Sequence, residues 1–169
     1  MSNNDYLIEP LGEHHNRAIF SCGIEQLDSY FQRQISQDAR KRIAAPFVLL
    51  DQTANQVAGY YTLSSIGINL GDLPPELTKK LPKYPILPAT LLGRLAVDQN
   101  YQGKRLGEML LMDALYRSLK SEIASMAVVV DAKDEQARMF YEHYDFIRFP
   151  NFPYRLFLMM TIIEKIFKY

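Results

Sequence analysis

The most constraining feature of this sequence lies at residues 90–130, which reads as strand, loop, helix and strand. The apolar run TLLGRLAV at 90–97 precedes the loop QGKRLG at 102–107, and the pattern predicts a helix from Gly103 to Lys120. The nearly continuous apolar run SMAVVV at 125–130 is typical of a strand buried on both faces. Because such a unit joins parallel strands by a right-handed crossover, it predicts a parallel pair within an α/β sheet.

The rest of the chain supplies further strands and helices for one sheet. Strands are predicted at YLIEPL (6–11), APFVLLD (45–51), QVAGYYTLSSIGINL (56–70), DFIRF (145–149) and in RLFLMMTIIEKIF (155–167), read as a core strand continuing into a tail. Residues 23–42 place apolar side chains at helical spacing, and residues 75–80 within the proline-rich loop 71–88 predict one helical turn. The expected fold is mixed α/β: a mostly antiparallel sheet with a central parallel pair, flanked by helices, in a single domain over 1–169.

Charge and composition exclude several classes of protein. Nineteen basic and nineteen acidic residues cancel, so nucleic-acid binding requires a local basic patch. No run approaches the ~20 apolar residues that span a bilayer, and the N-terminus has no signal-peptide pattern. The single cysteine, Cys22, suits a reducing cytoplasm and is expected to be a buried apolar residue. We expect no metal site, because His14, His15 and His143 are not spaced as a ligand set.

The glycine loop at 102–107 has two interpretations. Gly103 and Gly107 let the backbone approach an anion at a helix N-terminus, where unpaired N–H groups and the helix dipole favour phosphate. Alternatively, the glycines serve only a tight strand-to-helix turn. GKRLGE matches neither a Walker A loop nor a dinucleotide fingerprint, which argues against ATP, GTP and NAD.

A second informative stretch, DEQARMFYEHYDF at 134–146, predicts a helix with Asp134 as its N-cap. Ala137, Phe140, Tyr141 and Tyr144 follow at i, i+3, i+4 and i+7, which is one helix face. Such a stripe is usually core packing, although a tyrosine hydroxyl can serve as a general acid.

Taken together, the two stretches resemble the GNAT acetyltransferases. QGKRLG resembles the acyl-CoA loop [Q/R]-x-x-G-x-[G/A] of that family, and DEQARMFYEHYDF resembles its second signature, N-x-x-A-x-x-F-Y-x-x-x-G-F. The segment at 14–51, the proline-rich segment and LGRLAVDQNYQGKRLGEMLLMDAL at 92–115 narrow the resemblance to the acetyltransferase toxins of bacterial toxin–antitoxin modules.

The resemblance implies acetyl-CoA as cosubstrate and assigns a role to each matching residue. Tyr141 is implied as the general acid that protonates the CoA thiolate. Backbone groups of Leu95, Ala96 and Val97 are implied to bind the pantetheine arm. The pyrophosphate is implied to bind the amides of Gln102, Gly103, Lys104, Arg105, Leu106 and Gly107. In the second signature, Ala137 is a matching position. Phe140 and Tyr144 are implied to pack beside the cofactor. Asp134 stands where the family commonly has an Asn that contacts pantetheine.

The resemblance also implies a substrate and partners. Such toxins acetylate the α-amine of the amino acid on a charged tRNA, are paired with a ribbon-helix-helix antitoxin, and are commonly homodimers. Arg33, Arg40, Lys41 and Arg42 are the candidate phosphate contacts for tRNA, followed by Lys79, Lys80 and Lys83 in the proline-rich loop. A solvated helix end is the competing interpretation of the first four. An acetyltransferase for a small-molecule or protein amine, or a catalytically silent CoA-binding module, remain the alternatives.

Two departures from the family pattern carry predictions of their own. Arg105 stands where the family usually has glycine, and we expect it to be helical, with negative φ and its side chain outside the loop. Asp145 replaces the glycine that usually precedes Phe146, which suggests a different turn at that position.

Overall fold

The computed structural model describes residues 5–168. Its strands are β1 (Tyr6–Pro10), β2 (Ala45–Asp51), β3 (Gln56–Asn69), β4 (Ile86–Val97), β5 (Ala127–Asp131), β6 (Ile147–Phe149) and β7 (Phe152–Met159). The α-helices are α1 (Glu25–Ser29), α2 (Ile35–Arg40), α3 (Pro75–Thr78), α4 (Leu106–Lys120), α5 (Glu135–His143) and α6 (Met160–Ile166). A π-helical turn, Tyr30–Gln34, joins α1 to α2, and 3₁₀ turns lie at Leu70–Asp72 and Gln99–Tyr101.

In the described residues, seven strands form one hydrogen-bonded sheet in the order β1-β2-β3-β4-β5-β7-β6. β1 pairs with β2, β2 with β3, β5 with β7 and β6 with β7, all antiparallel. β4 and β5 are parallel, with a register from Thr90↔Val128 to Leu92↔Val130. The mixed, mostly antiparallel α/β sheet with one parallel pair is therefore confirmed.

The chain divides into two compact units, each described here by itself. The first comprises residues up to Ser64 together with Gly93–Ala114. Aromatic side chains dominate its core: Phe31 stacks on Tyr60 with ring centroids 4.4 Å apart, and Phe20 contacts both rings. Cys22 lies in this cluster as a buried residue, as the sequence predicted.

Gly59, on β3, marks a close approach within the first unit. A Cβ at this position would lie 2.9 Å from the backbone oxygen of Ala96 on β4 and 2.8 Å from Cδ1 of Leu110 on α4. Real Cβ atoms essentially never approach backbone this closely, so only glycine lets these elements pack together here.

The second unit comprises Ser65–Leu92 and the residues from Leu115 onward. Residues 127–130 of β5 are each fully buried, as expected for a β-branched strand covered on both faces. Phe149 and Phe157 pack edge to face with centroids 5.1 Å apart in the core of this unit. The predicted tail after β7 is wrong in one respect, because residues 160–166 form α6, which buries Ile163.

Among residues 5–168, every helix is too short or too polar to span a lipid bilayer.

Candidate active site

The loop that follows β4 is anchored at its first residue by Asp98, a buried carboxylate. Its Oδ1 accepts from the N–H of Asn100 at 2.9 Å and its Oδ2 accepts from the N–H of Ser21 at 3.0 Å. The N–H of Gln99 donates to the carbonyl of Ser21 at 2.8 Å. The start of the loop is thus fixed to a segment about 77 positions away in the sequence.

Tyr101 forms a second anchor. Its hydroxyl donates to Oδ2 of Asp51, at the end of β2, over 2.6 Å, and both side chains are buried. The other oxygen of Asp51 accepts from the N–H groups of Thr53 and Ala54. Burial, and then the hydrogen bond to Asp51, raise the pKa of Tyr101, while that same hydrogen bond lowers the pKa of Asp51 below its ordinary value. The pair therefore remains a neutral phenol donating to a charged carboxylate at neutral pH.

Gln102 closes the loop on itself. Its Nε2 donates to the carbonyl of Cys22 at 3.2 Å and to that of Val97 at 3.1 Å, so the side chain is directed back toward β4. The N–H of Cys22 in turn donates to Oδ1 of Asp28 at 2.7 Å. The side chain of Gln102 therefore shapes the loop, and its predicted contribution of a backbone amide to pyrophosphate stays a prediction.

The helical conformation predicted for Arg105 is wrong. Arg105 has φ +61°, in the left-handed region, and α4 begins only at Leu106 rather than at Gly103. The physical reason is the sharp reversal needed between the anchored loop and the helix: glycine would meet it without strain, and the surrounding contacts impose it on arginine. The side chain of Arg105 is exposed.

The start of α4 has the features of an anion-binding turn. The carbonyl of Arg105 accepts from the N–H of Met109 at 3.2 Å, so the helix starts there and its first N–H groups have no intrahelical acceptor. Gly103 has φ +83°, and an added Cβ would meet no atom within 4 Å, which leaves its backbone open to a ligand. Leu106 is buried beneath the turn and Gly107 is half-buried.

The remaining predicted cofactor residues of the first unit lie on either side of this loop. Leu95, Ala96 and Val97 are the last three residues of β4, with Ala96 buried in the core and its two neighbours half-buried. Lys104 is exposed, with Nζ 5.4 Å from the ring centroid of Tyr101.

In the second unit, Asp134 caps α5 as predicted. Its Oδ1 accepts from the N–H of Ala137 at 2.8 Å, and the helix follows from Glu135 to His143. The carboxylate is thus already used within the helix.

Tyr141 is 7% exposed, and its hydroxyl makes no hydrogen bond to another group in the described part of the chain. Burial raises its pKa above the ordinary value, so the phenol stays protonated at neutral pH. Phe140 contacts Tyr141 and Tyr144 edge to face, with both centroid distances 5.2 Å, and Phe140, Tyr144 and Ala137 are half-buried. The predicted aromatic face of α5 therefore exists as one packed group.

The different turn expected at Asp145 is wrong. Asp145 has φ +72°, the conformation that glycine favours, and its N–H donates to the carbonyl of Glu142 at 3.0 Å. The N–H of Phe146 donates to the carbonyl of Tyr141 at 3.2 Å. These two bonds form a Schellman motif, which aspartate can enter because its short polar side chain tolerates the left-handed region.

The four cations proposed to contact tRNA are all exposed in the first unit. Arg33 lies in the π-helical turn, Arg40 ends α2, and Lys41 follows it. Arg42 has φ +58° and ends the segment. Three further cations of the proline-rich loop, Lys79, Lys80 and Lys83, are also exposed.

His14 and His15 are brought together with Glu9, a grouping that the sequence did not predict. Nε2 of His15 lies 2.7 Å and Nε2 of His14 3.3 Å from Oε1 of Glu9. Nδ1 of His15 accepts from the N–H of Gly12 at 2.9 Å, so a neutral His15 carries its proton on Nε2, toward Glu9. That tautomer opposes metal coordination through Nε2, and the absence of a metal requirement stays a prediction.

Sequence reasoning missed the residues that hold the loop, namely Asp51, Asp98 and Tyr101. Asp98 carried a usable signal, because an aspartate after a strand and before a short turn commonly caps it. No local sequence pattern predicts the hydrogen bond between Tyr101 and Asp51.

Comparisons with known proteins identify the family of the chain. The acetyltransferase (GNAT) domain family matches residues 88–154. The tRNA-acetylating toxin of Mycobacterium tuberculosis (strain ATCC 25618 / H37Rv) is 35% identical over 143 residues, covering 83% of this chain and 84% of the relative. A protein of Sinorhizobium fredii (strain NBRC 101917 / NGR234) named "Probable toxin TacT" is 29% identical over 170 residues, covering 95% of this chain and 94% of that protein.

Solved structures extend the likeness. AtaT complexed with acetyl-methionyl-tRNAfMet superposes with a TM-score of 0.89 at 30% identity, covering 97% of this chain and 100% of that one. A tyrosine-to-phenylalanine mutant of AtaT, bound to the C-terminus of the antitoxin AtaR and acetyl-CoA, gives a TM-score of 0.82 at 26% identity, covering 98% and 99%. The sheet and its parallel pair define a GNAT fold. The chain belongs to the GNAT acetyltransferases, and within them to the toxins of toxin–antitoxin modules.

Proposed function

We propose that this chain transfers the acetyl group of acetyl-CoA to the α-amine of an amino acid esterified to tRNA, and so blocks translation. The carrying observation is the 35% identity, over 83% of the chain, to a tRNA-acetylating toxin. The likeness to AtaT with acetyl-methionyl-tRNAfMet supports the same substrate class.

The residues of the first unit fit the binding of acetyl-CoA. The open backbone at Gly103 and the N–H groups without intrahelical acceptors at the start of α4 suit a pyrophosphate. The last residues of β4, Leu95, Ala96 and Val97, lie beyond its register with β5, which runs from Thr90 to Leu92, and are proposed to bind pantetheine through their backbone. Anchoring of the loop by Asp51, Asp98 and Gln102 preorganises these groups, which lowers the entropy lost on binding.

Tyr141 is proposed as the general acid. The amine nitrogen attacks the thioester carbon, the carbon–sulfur bond breaks, and the phenol donates its proton to the departing thiolate while the amine loses a proton to solvent. An α-amine of an aminoacyl ester is less basic than that of lysine and is substantially neutral near pH 7. The buried and protonated phenol of Tyr141 therefore supplies the proton that the departing thiolate needs.

The exposed cations Arg33, Arg40, Lys41 and Arg42 are proposed to contact tRNA phosphates. We further propose that the chain works in the cytoplasm as a homodimer and is neutralised by a ribbon-helix-helix antitoxin. The AtaT complex with the C-terminus of AtaR supports an antitoxin partner.

The decisive test incubates the purified chain with acetyl-CoA and total charged tRNA, followed by mass spectrometry of the amino acids released by mild hydrolysis. N-acetylated amino acids are expected, and they also identify the tRNA. Tyr141→Phe and deacylated tRNA are the matched controls. Acetylation of free amines without acetylated tRNA would instead indicate a small-amine enzyme, and failure to release CoA with any amine would indicate a silent module.

A further inference from the structure

Arg94 is a cation on β4 that neither the sequence pattern nor the proposed mechanism uses. It directly precedes the predicted pantetheine residues 95–97, and side chains two positions apart share a strand face. Ala96, on the face of Arg94, packs in the core cluster that contains Tyr30. The guanidinium carbon of Arg94 lies 3.5 Å from the centroid of the Tyr30 ring, so the cation is stacked on that ring.

The helix beneath Arg94 is built to hold Tyr30 in place. Tyr30 begins the π-helical turn, in which its carbonyl accepts from the N–H of Ile35 five positions on. Its hydroxyl donates to Oδ2 of the buried Asp38 at 2.8 Å, and Nε2 of Gln34 donates to the other oxygen at 3.0 Å. π-helical turns recur at functional sites, and here the wider turn carries the ring on which Arg94 rests.

The guanidinium donors of Arg94 are left unused. Within residues 5–168, the side chain of Arg94 makes no hydrogen bond and no ion pair within 4.0 Å, and it is half-buried. Arg17 offers a contrast, since its Nη1 donates to the carbonyl of Phe31 and to Oγ of Ser36. An arginine that is fixed by stacking but keeps its donors free is preorganised for bidentate binding of an oxyanion.

The charge around Arg94 indicates which oxyanion it binds. Arg33, Arg40, Lys41 and Arg42 are exposed on the same helical segment or directly after it, so the segment carries a run of exposed cations. We propose that Arg94 binds a backbone phosphate at the 3′ end of the tRNA, next to the amino acid that receives the acetyl group. This proposal rests on the proposed function and adds a positioning residue to it.

The test compares wild type with Arg94→Gln and Arg94→Lys. For Arg94→Gln, the KM for charged tRNA is expected to rise about tenfold, and the slope of log KM against log salt to fall by about 0.7 to 1. Arg94→Lys keeps the charge but loses the planar guanidinium. Its salt slope should therefore match wild type, and its KM for charged tRNA should lie between those of wild type and Arg94→Gln. The KM for acetyl-CoA and the melting temperature are expected to stay close to wild type. Lys165→Gln, an exposed cation of α6, is the control and should change none of these.

Each outcome bears on one proposal. If wild type acetylates charged tRNA and Arg94→Gln does so with an unchanged KM and salt slope, the role of Arg94 is overturned and the proposed function stands. A rise in the KM for acetyl-CoA alone assigns the phosphate to CoA and also overturns it. If wild type acetylates no charged tRNA, the proposed function fails, and this role of Arg94 fails with it.

Discussion

Phe146 packs against Tyr141 with ring centroids 5.4 Å apart, while its N–H donates to the Tyr141 carbonyl at 3.2 Å. The candidate acid is thus held by its ring and its backbone. Its hydroxyl forms no hydrogen bond to another described residue, so the proton is available for transfer to a leaving group. The Schellman motif at the end of α5 therefore fixes the residue that is proposed as the general acid.

Tyr141→Phe is expected to lower kcat by about 10²- to 10⁴-fold, because it removes a proton donor and keeps the ring. Burial raises the pKa of Tyr141 above its ordinary value of 10.0, so the phenol stays protonated up to that pH and beyond. In wild type, kcat should therefore show no alkaline loss attributable to Tyr141 below about pH 10. Steady-state pH profiles for both proteins check this, and unchanged kcat in Tyr141→Phe would exclude the general-acid role.

Asp145→Gly is expected to stabilise the fold by roughly 0.5 to 1 kcal/mol, since glycine occupies the left-handed conformation without strain. Urea unfolding measures the change. Glu122→Gly is the control, because Glu122 is an exposed loop acid whose φ is not positive, and this change should not raise the free energy of unfolding. An Asp145→Gly protein no more stable than wild type would show that the turn stores no strain.

Arg105→Gly is expected to stabilise the fold by a similar amount, roughly 0.5 to 1 kcal/mol, for the same reason. Because the Arg105 side chain is exposed, we expect the KM for acetyl-CoA to stay within about twofold of wild type. Lys104→Gly removes a neighbouring exposed cation without relieving a positive φ, so it is the matched control. A KM that rises in both Arg105→Gly and Arg105→Ala would instead show that the cation contacts a CoA phosphate.

Tyr101→Phe removes the buried hydrogen bond to Asp51 and is expected to cost about 1 to 3 kcal/mol. The loosened loop should raise the KM for acetyl-CoA several-fold while kcat changes less. Tyr84→Phe, at a tyrosine 64% exposed, is the control. Equal KM values for Tyr101→Phe and wild type would mean that the anchor does not shape the cofactor loop.

Acid denaturation gives an independent readout of the same pair. The pKa of Asp51 is lowered in the folded chain, so its contribution is present above the ordinary value of 3.8 and is lost as the pH falls through the lowered value. In Tyr101→Phe the pKa of Asp51 should move back toward 3.8, because its largest lowering cause is removed. The free energy of unfolding should consequently fall less between pH 5 and pH 3 in this variant than in wild type.

Local patterns predicted most of the strands well. β2 coincides with the predicted 45–51, and β3 ends within one residue of the prediction, because β-branched and aromatic residues bounded by turn chemistry leave little freedom. β4 begins earlier than predicted, at Ile86, because its edge includes Pro88 and an exposed isoleucine that conceal the pattern.

The features that the sequence does not predict depend on contacts between residues far apart in the chain. Tyr101 and Asp51 are 50 positions apart, and neither local spacing nor composition links them. The π-helical turn at Tyr30 likewise follows from packing, since both Tyr30 and its neighbour Phe31 are buried. The left-handed conformations of Arg105 and Asp145 follow from turns that override side-chain preference, and no local pattern reveals those turns.

Because of the close packing at Gly59, a single missense mutation at this codon is expected to inactivate the protein. A methyl group there would press on the backbone of Ala96, within the strand segment proposed to bind pantetheine. If expression of this chain arrests growth, selection for surviving cells should enrich missense alleles at Gly59 that still yield full-length protein. Immunoblotting of the survivors would distinguish these alleles from truncations, and wild-type acetylation by a Gly59→Ala protein would show that the strand accommodates the extra atom.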